Sequence, residues 1–239
     1  MKILALDSSG LVASVAVMED DTLLAEYTMN YKKTHSQTLL PMLDEMAKMI
    51  ELDLSTVDAI AVAGGPGSFT GLRIGSATAK GLGLALKKPL ISVPTVDGLA
   101  YNLCGTDKLV CPLMDARRNQ VYTGIYEFEG SSLKVLEPQM AIDIAEVVEK
   151  LNAMGREVLF LGDGYPVYAG KLSKLMKVPF MAAPAHMNRQ RAGAVAALAM
   201  CYAKEGHMET ATEHRPDYLR LSQAERERAE KEKAAGIHE

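Results

Sequence analysis

The same order of apolar runs and polar turns occurs twice along this chain of 239 residues, and this repeat restricts the possible folds most strongly. In the first half, an apolar run ends in Asp7, and alternating apolar residues return over 12–18. In the second half, the run 109–114 ends in Asp115, and alternating residues return over 121–126. Both halves therefore predict antiparallel strands joined by a polar turn.

Glycine-rich segments extend the repeat, because a later apolar run in each half ends in glycines, at 64–67 and at 162–164. Two copies of a β-β-β-α-β-α unit predict two α/β lobes that face a cleft, the second copy being degenerate. Chance matching of two short patterns is the alternative. We place the lobes at 1–104 and 105–222, followed by a charged tail at 223–239 to which no function is assigned.

Composition and charge exclude several classes of protein. Apolar residues make up 48% of the chain, which is enough for a sizeable core, and the net charge of −4 provides no basic excess for nucleic acid. The longest charge-free run is broken by Gly and Pro and is too short to span a bilayer. Three cysteines without C-x-x-C spacing suggest neither disulfides nor a thiolate metal site. We therefore expect a cytoplasmic protein without membrane contact.

Two turns have residue types that suit phosphate binding. The turn 7–10 reads Asp-Ser-Ser-Gly, and the segment 64–73 reads GGPGSFTGLR between a strand and a helix. Glycines permit close backbone approach, and the helix N-terminus attracts an anion. The alternative is an ordinary hairpin turn in the first case and a tight strand-to-helix connection in the second. The residues predicted to contact a nucleotide, if either turn binds one, are Asp7, Ser8, Ser9, Gly10, Gly65 and Gly67.

A stripe of small residues follows on the helix predicted over 70–86. Gly71, Gly75, Ala79 and Gly83 are four residues apart, so they lie along one face where another backbone can approach closely. Helix-interior glycines cost about 1 kcal/mol each relative to alanine. Packing on the chain's own sheet and packing on a helix of another chain both explain the stripe.

The helix predicted over 35–50 has more apolar positions than a core face needs, and Pro41 inside it predicts a late start or a kink. Leu39 and Leu43 suit the core, whereas Met42 and Met49 are expected elsewhere on the helix, where methionine suits an adaptable contact surface. Together the two helices predict a partner-binding surface. Its predicted residues are Leu39, Met42, Met46, Met49, Gly71, Ile74, Gly75, Thr78, Ala79 and Leu82.

No catalytic or metal-binding pattern is recognisable in the sequence. The five histidines show neither H-x-x-H nor H-x-x-x-H spacing, and no G-x-S-x-G nucleophile elbow is present. We therefore predict no catalytic residue and no metal ligand.

With these motifs described, the chain resembles the TsaB (YeaZ-like) family. The resemblance is carried by the segments 3–10, 34–37, 64–75 and 216–220, and it extends from residue 1 to about 228. It implies a duplicated fold like that of actin, Hsp70 and sugar kinases, the ASKHA or ribonuclease H-like fold. This implication agrees with the repeat.

The resemblance also implies a function. Members of this family are non-catalytic subunits that pair with the catalytic paralogue TsaD and help to recruit the ATPase TsaE. The complex forms N6-threonylcarbamoyladenosine (t6A) beside the anticodon of tRNAs that read codons beginning with A. A homodimer is expected when the partner is absent. No cofactor is expected to bind tightly, ATP or ADP is expected at the complex interface, and tRNA is expected to meet this chain only indirectly.

Two departures from related patterns favour the non-catalytic role. TsaD has His-x-x-x-His metal ligands where the corresponding segment here, 93–99, contains no histidine. Nucleotide-binding members have an Asp-x-Gly turn in the second half, where this chain has arginine at 117. The alternative is a stand-alone enzyme of this fold, either a metallopeptidase or a phosphotransferase.

Overall fold

A computed structural model describes residues 1–31 and 33–220. The charged tail predicted at 223–239 lies outside the described residues.

The first half of the chain forms a five-stranded mixed sheet in the order β3-β2-β1-β4-β5. Its strands are β1 (Lys2–Asp7), β2 (Ala13–Glu19), β3 (Thr22–Met29), β4 (Ala59–Gly65) and β5 (Leu90–Pro94). The first three strands pair antiparallel, and β4 and β5 continue the sheet in parallel with β1. The predicted run of three consecutive strands is therefore confirmed.

The second half repeats this topology. Its strands are β6 (Leu109–Asp115), β7 (Gln120–Glu129), β8 (Ser132–Asp143), β9 (Val158–Leu161) and β10 (Phe180–Ala182). Read from β8, the order is β8-β7-β6-β9-β10, which matches the first sheet strand for strand. The predicted duplication is confirmed, because each sheet has an antiparallel trio followed by two parallel strands.

Six α-helices cover the two sheets in the described part of the chain. They are α1 (His35–Met49), α2 (Phe69–Leu86), α3 (Thr95–Tyr101), α4 (Ile144–Met154), α5 (Gly164–Leu175) and α6 (Ala192–Lys204), with a 3-10 turn at Leu54–Thr56. The pair α1 and α2 packs on one face of the first sheet, and α4 and α5 pack equivalently on the second. None of the described helices has the length and apolarity needed to cross a membrane.

The helices α3 and α6 are exchanged between the two halves. Although α3 follows the first sheet in sequence, its Val96 and Leu99 pack against strands β6 and β7 of the second sheet. Conversely, Val195 and Ala199 of α6 pack against Ile3 and neighbouring residues of the first sheet. The boundary predicted at 104/105 falls between the two sheets, and α3 and α6 each pack across it.

The helix α1 begins at His35 and contains Pro41, so of the two alternatives predicted for this proline the late start does not occur. Met42 is buried, with 3% of its surface exposed, and the expectation that it lies away from the core is wrong. Met49 is 76% exposed, as expected. Met42 adjoins Leu43 and completes the apolar stripe that faces β2.

A buried carboxylate links the exchanged helices to the second sheet. Asp97 on α3 accepts a hydrogen bond from the hydroxyl of Tyr126 on β7 at 2.7 Å and one from Tyr202 on α6 at 3.3 Å. Burial raises the pKa of Asp97, against the opposing effect of these two donors. The contact joins three elements from both halves of the chain.

We expect Tyr126→Phe to destabilise the fold by about 1–3 kcal/mol, because it leaves a buried carboxylate oxygen without its donor. Tyr202→Phe should cost less, since its hydrogen bond is longer. Urea unfolding of the two variants and the parent measures this order. A Tyr126→Phe protein as stable as the parent would contradict the proposed link.

Candidate functional site

The turn after β1 is held together by its own aspartate. Asp7 is buried, and its Oδ1 accepts hydrogen bonds from the backbone N–H of Ser9 at 2.9 Å and from its hydroxyl at 2.6 Å. Burial raises the pKa of Asp7 to about 6, even though both hydrogen bonds and the nearby His35 act in the opposite direction. The carboxylate therefore supports the shape of the turn.

The same turn packs directly on the N-terminus of α2. The Ser8 hydroxyl donates to the carbonyl of Gly71 at 2.9 Å, and the N–H of Ser68 donates to the carbonyl of Ser9 at 2.7 Å. A Cβ on Gly67 or Gly71 would collide with the carbonyl oxygens of this turn. These two glycines therefore allow the chain's own backbone to approach α2. This is the arrangement expected of a tight strand-to-helix connection, the alternative to phosphate binding.

Gly65 is surrounded in the same way by the C-terminal segment. It has a φ of +123°, and a Cβ there would collide with the carbonyl oxygen of Asp217. The N–H of Asp217 donates to the carbonyl of Gly64 at 2.7 Å. Nucleotide contact by the residues named above stays a prediction, but the geometry argues against a phosphate at Gly65 or Gly67, because protein backbone occupies the approach.

The turn equivalent to 7–10 in the second half has a different conformation. Arg117, Arg118 and Asn119 all have left-handed backbone, with φ of 65°, 56° and 62°. Glycine would adopt this conformation without strain. The backbone N–H of Asp115 donates a hydrogen bond to the carboxylate of Asp163. The backbone N–H of Arg117 donates one to the carboxylate of Asp115 at 2.9 Å.

Between the two turns lies an open cleft of about 1370 Å³. One wall comes from the first turn, the start of α1 and the start of α2, and the opposite wall comes from the β6–β7 turn. Its aromatic and cationic lining residues are Tyr31, Lys33, His35, Phe69, Arg117, Tyr122, Tyr218 and Arg220. The predicted nucleotide residues Ser9, Gly10 and Gly67 also line it. The predicted cleft is thus present.

The small-residue stripe on α2 faces the chain's own sheet. A Cβ on Gly75 would stand 2.6 Å from the Ser8 hydroxyl, and one on Gly83 would collide with Leu90. Ala79 is fully buried. Six of the ten predicted partner-binding residues lie beneath the surface in this way, and partner contact through them would require the helices to separate. They are Leu39, Met42, Met46, Gly71, Gly75 and Ala79.

The accessible apolar face of α2 lies on its other side and was missed by the sequence prediction. Ala77, Gly81 and Leu84 are exposed, and no atom lies within 4 Å of a Cβ placed on Gly81. The remaining predicted residues on α2, Ile74, Thr78 and Leu82, are half-buried beside them. A helix-interior glycine outside the stripe was the signal available in the sequence.

On α1, the predicted Met49 is exposed, and Leu40, which was not predicted, is 51% exposed. Nine residues separate Leu40 from Met49, so the two side chains lie on opposite flanks of α1. We call the exposed residues Ala77, Gly81 and Leu84 of α2, together with the flank of α1 beside them, the α1–α2 outer face. Exposed apolar residues on neighbouring helices are typical of a protein contact surface.

The raised pKa of Asp7 predicts a specific pH dependence. Above pH 6 the Asp7 carboxyl is charged and buried in the folded chain. Between about pH 4 and 6 this carboxyl is protonated in the folded chain but ionised in the unfolded chain. The free energy of unfolding should therefore rise by about 2 kcal/mol from pH 7.5 to 4.5 through this group. The parent should show this gain relative to Asp7→Asn in denaturant unfolding at both pH values. Equal pH dependence in the two proteins would contradict the assignment.

Within residues 1–31 and 33–220, no three His, Cys, Asp or Glu side chains converge as metal ligands would.

Residues 22–228 match the model of the TsaD family, described as tRNA N6-adenosine threonylcarbamoyltransferase. The chain is 34% identical to the tRNA threonylcarbamoyladenosine biosynthesis protein TsaB of Bacillus subtilis, over 98% of this chain and all of that protein.

Solved structures give the same relationship. YeaZ from Pseudomonas aeruginosa superposes with a TM-score of 0.78 at 28% identity, over 91% of this chain and 99% of that one. An inorganic polyphosphate/ATP-glucomannokinase from Arthrobacter, at 11% identity and a TM-score of 0.50 over 85% of this chain and 99% of that one, shares the fold alone. The fold is thus ASKHA-like, as predicted, and the chain belongs to the TsaB family.

Proposed function

We propose that this chain is a non-catalytic subunit in the biosynthesis of t6A in tRNA. It pairs with a TsaD-type catalytic subunit, helps to recruit the ATPase TsaE, and acts in the cytoplasm. The full-length similarity to TsaB of Bacillus subtilis supports the pathway. The pairing is supported by the α1–α2 outer face.

The observation that carries the pairing is Gly81. In a helix interior glycine costs about 1 kcal/mol relative to alanine. At Gly71, Gly75 and Gly83 close packing inside the chain offsets that cost, but Gly81 faces open space. No charged residue occurs between Lys80 and Lys87, so this part of the helix offers a smooth, apolar surface. Such a surface suits close contact with another helix.

The same face suits a second copy of this chain when the partner is absent, which is the basis for the homodimer that we propose for the isolated protein. We propose that ATP or ADP binds at the seam of the complex rather than tightly on this chain. The first turn supports this placement, because the N–H groups of Ser9 and Ser68 already donate within the chain.

We expect Gly81→Leu to prevent assembly with the TsaD-type subunit while the chain stays folded, because leucine meets no neighbour here and favours helix more than glycine does. Co-elution in size-exclusion chromatography and thermal melting measure the two effects. Gly170→Leu is the matched control, since Gly170 is a helix-interior glycine of α5 that also faces open space. This control should assemble normally.

Gly75→Leu should give the opposite result, a chain destabilised by about 1–3 kcal/mol or more by overpacking against the first turn. If Gly81→Leu assembles as well as Gly170→Leu does, the pairing surface lies elsewhere.

We further expect the isolated chain to show no threonylcarbamoyl transfer, peptidase or sugar-kinase turnover. Each reaction is assayed with the purified chain, and the transferase assay is repeated after adding the TsaD-type and TsaE subunits. Reproducible turnover by the chain alone that Asp7→Ala abolishes would overturn the non-catalytic role.

A further inference from the structure

The interlobe cleft carries a concentration of aromatic side chains. The chain has nine Tyr, four Phe and no Trp, and four of these aromatic residues line the cleft. Phe69 and Tyr218 contact each other with ring centroids 4.9 Å apart, and the Arg73 guanidinium lies 4.0 Å from the centre of the Phe69 ring. Tyr31 is 70% exposed on the same cleft. Phe69 is half-buried between these neighbours, whereas Tyr218 is 38% exposed. Exposed rings such as Tyr31 and Tyr218 are platforms on which bases stack.

Cationic groups accompany the rings. Lys33, Arg117 and Arg220 line the cleft together with the acidic Asp115 and Asp163. Both carboxylates accept hydrogen bonds from backbone N–H groups. The Arg117 side chain is 86% exposed although one of its nitrogens lies 3.7 Å from Asp115. The net charge of −4 for the whole chain therefore does not describe this surface.

The cleft has room for an extended ligand. Its volume of about 1370 Å³ exceeds the roughly 300–1000 Å³ of typical small-molecule pockets. The carbonyl of Ser9 packs against Gly67, and the N–H groups of Ser9 and Ser68 already donate within the chain. These two N–H groups are therefore not available to the phosphates of a free nucleotide, whereas an extended strand can use rings and cations along the rim.

The geometry points to the interlobe cleft as a binding site for an unpaired RNA segment, whose bases stack on Tyr31 and Tyr218 while its phosphates meet Lys33, Arg117 and Arg220. This assignment deepens the proposed function, on which it rests for the choice of RNA as ligand. It also revises the expectation, drawn from net charge, that tRNA meets this chain only indirectly.

The test measures fluorescence anisotropy of the isolated full chain with three probes. They are a labelled RNA hairpin with a seven-nucleotide unpaired loop, a blunt duplex of the same stem, and ATP as competitor. We expect the loop to bind at least 10-fold more tightly than the duplex. Three phosphate contacts to a single strand imply that binding weakens about 20-fold between 50 and 200 mM salt.

Two matched pairs of variants locate the site. Tyr31→Leu should weaken loop binding about 10-fold, as expected for loss of one stacked base, whereas Tyr31→Phe keeps the ring and should stay within about twofold of the parent. Arg117→Asn should weaken binding more than Arg118→Asn does. The backbone is left-handed at both positions, a conformation that asparagine tolerates, but of the two arginines only Arg117 lines the cleft.

Equal binding of loop and duplex, displacement of the loop by ATP at a matching affinity, or no difference between Tyr31→Leu and Tyr31→Phe would each overturn the assignment. Because the assay uses the chain alone, Gly81→Leu should bind the loop as the parent does. Failure of RNA binding is therefore distinguishable from failure of the pairing proposed above.

Discussion

The close approach of two backbone segments, the turn after β1 and the start of α2, organises the first half of the molecule. The hydroxyl of Ser8 and the carbonyl of Ser9 bond to α2 across a gap that no side chain could occupy. This contact sets how deeply α2 packs on the sheet, and therefore which of its faces remains accessible. It also uses the N–H group of Ser68 within the chain, so that this group is not available to a phosphate.

Much of the fold could be predicted because it is encoded locally. In each half an apolar run ends in an aspartate, Asp7 or Asp115, and is followed by a polar turn and an alternating run. This pattern was sufficient to predict two copies of one topology. The exchange of α3 and α6 could not be predicted in this way, since it depends on which core a helix reaches in three dimensions. Both helices are apolar enough to suit either sheet.

The candidate site was harder to predict, because α2 is small or apolar on two faces. Spacing alone identified the stripe of Gly71, Gly75 and Ala79 but could not say whether it faces inward. Among the glycines of α2, Gly81 is the one at which an added Cβ would meet no atom within 4 Å, and the proposed pairing rests on it. Net charge likewise carries no information on the cleft, since a sum over the whole chain does not report where Arg117 and Lys33 lie.

The helix exchange makes the first lobe depend on the second, whose turn has arginine at 117. If that lobe were deleted, α6 would go with it, and the side of the first sheet bearing Ile3 and Ile91 would be left facing water. Removal of either half would therefore expose part of the core of the other. Selection for folding alone can thus preserve both copies of a duplicated architecture, whatever chemistry either copy carries.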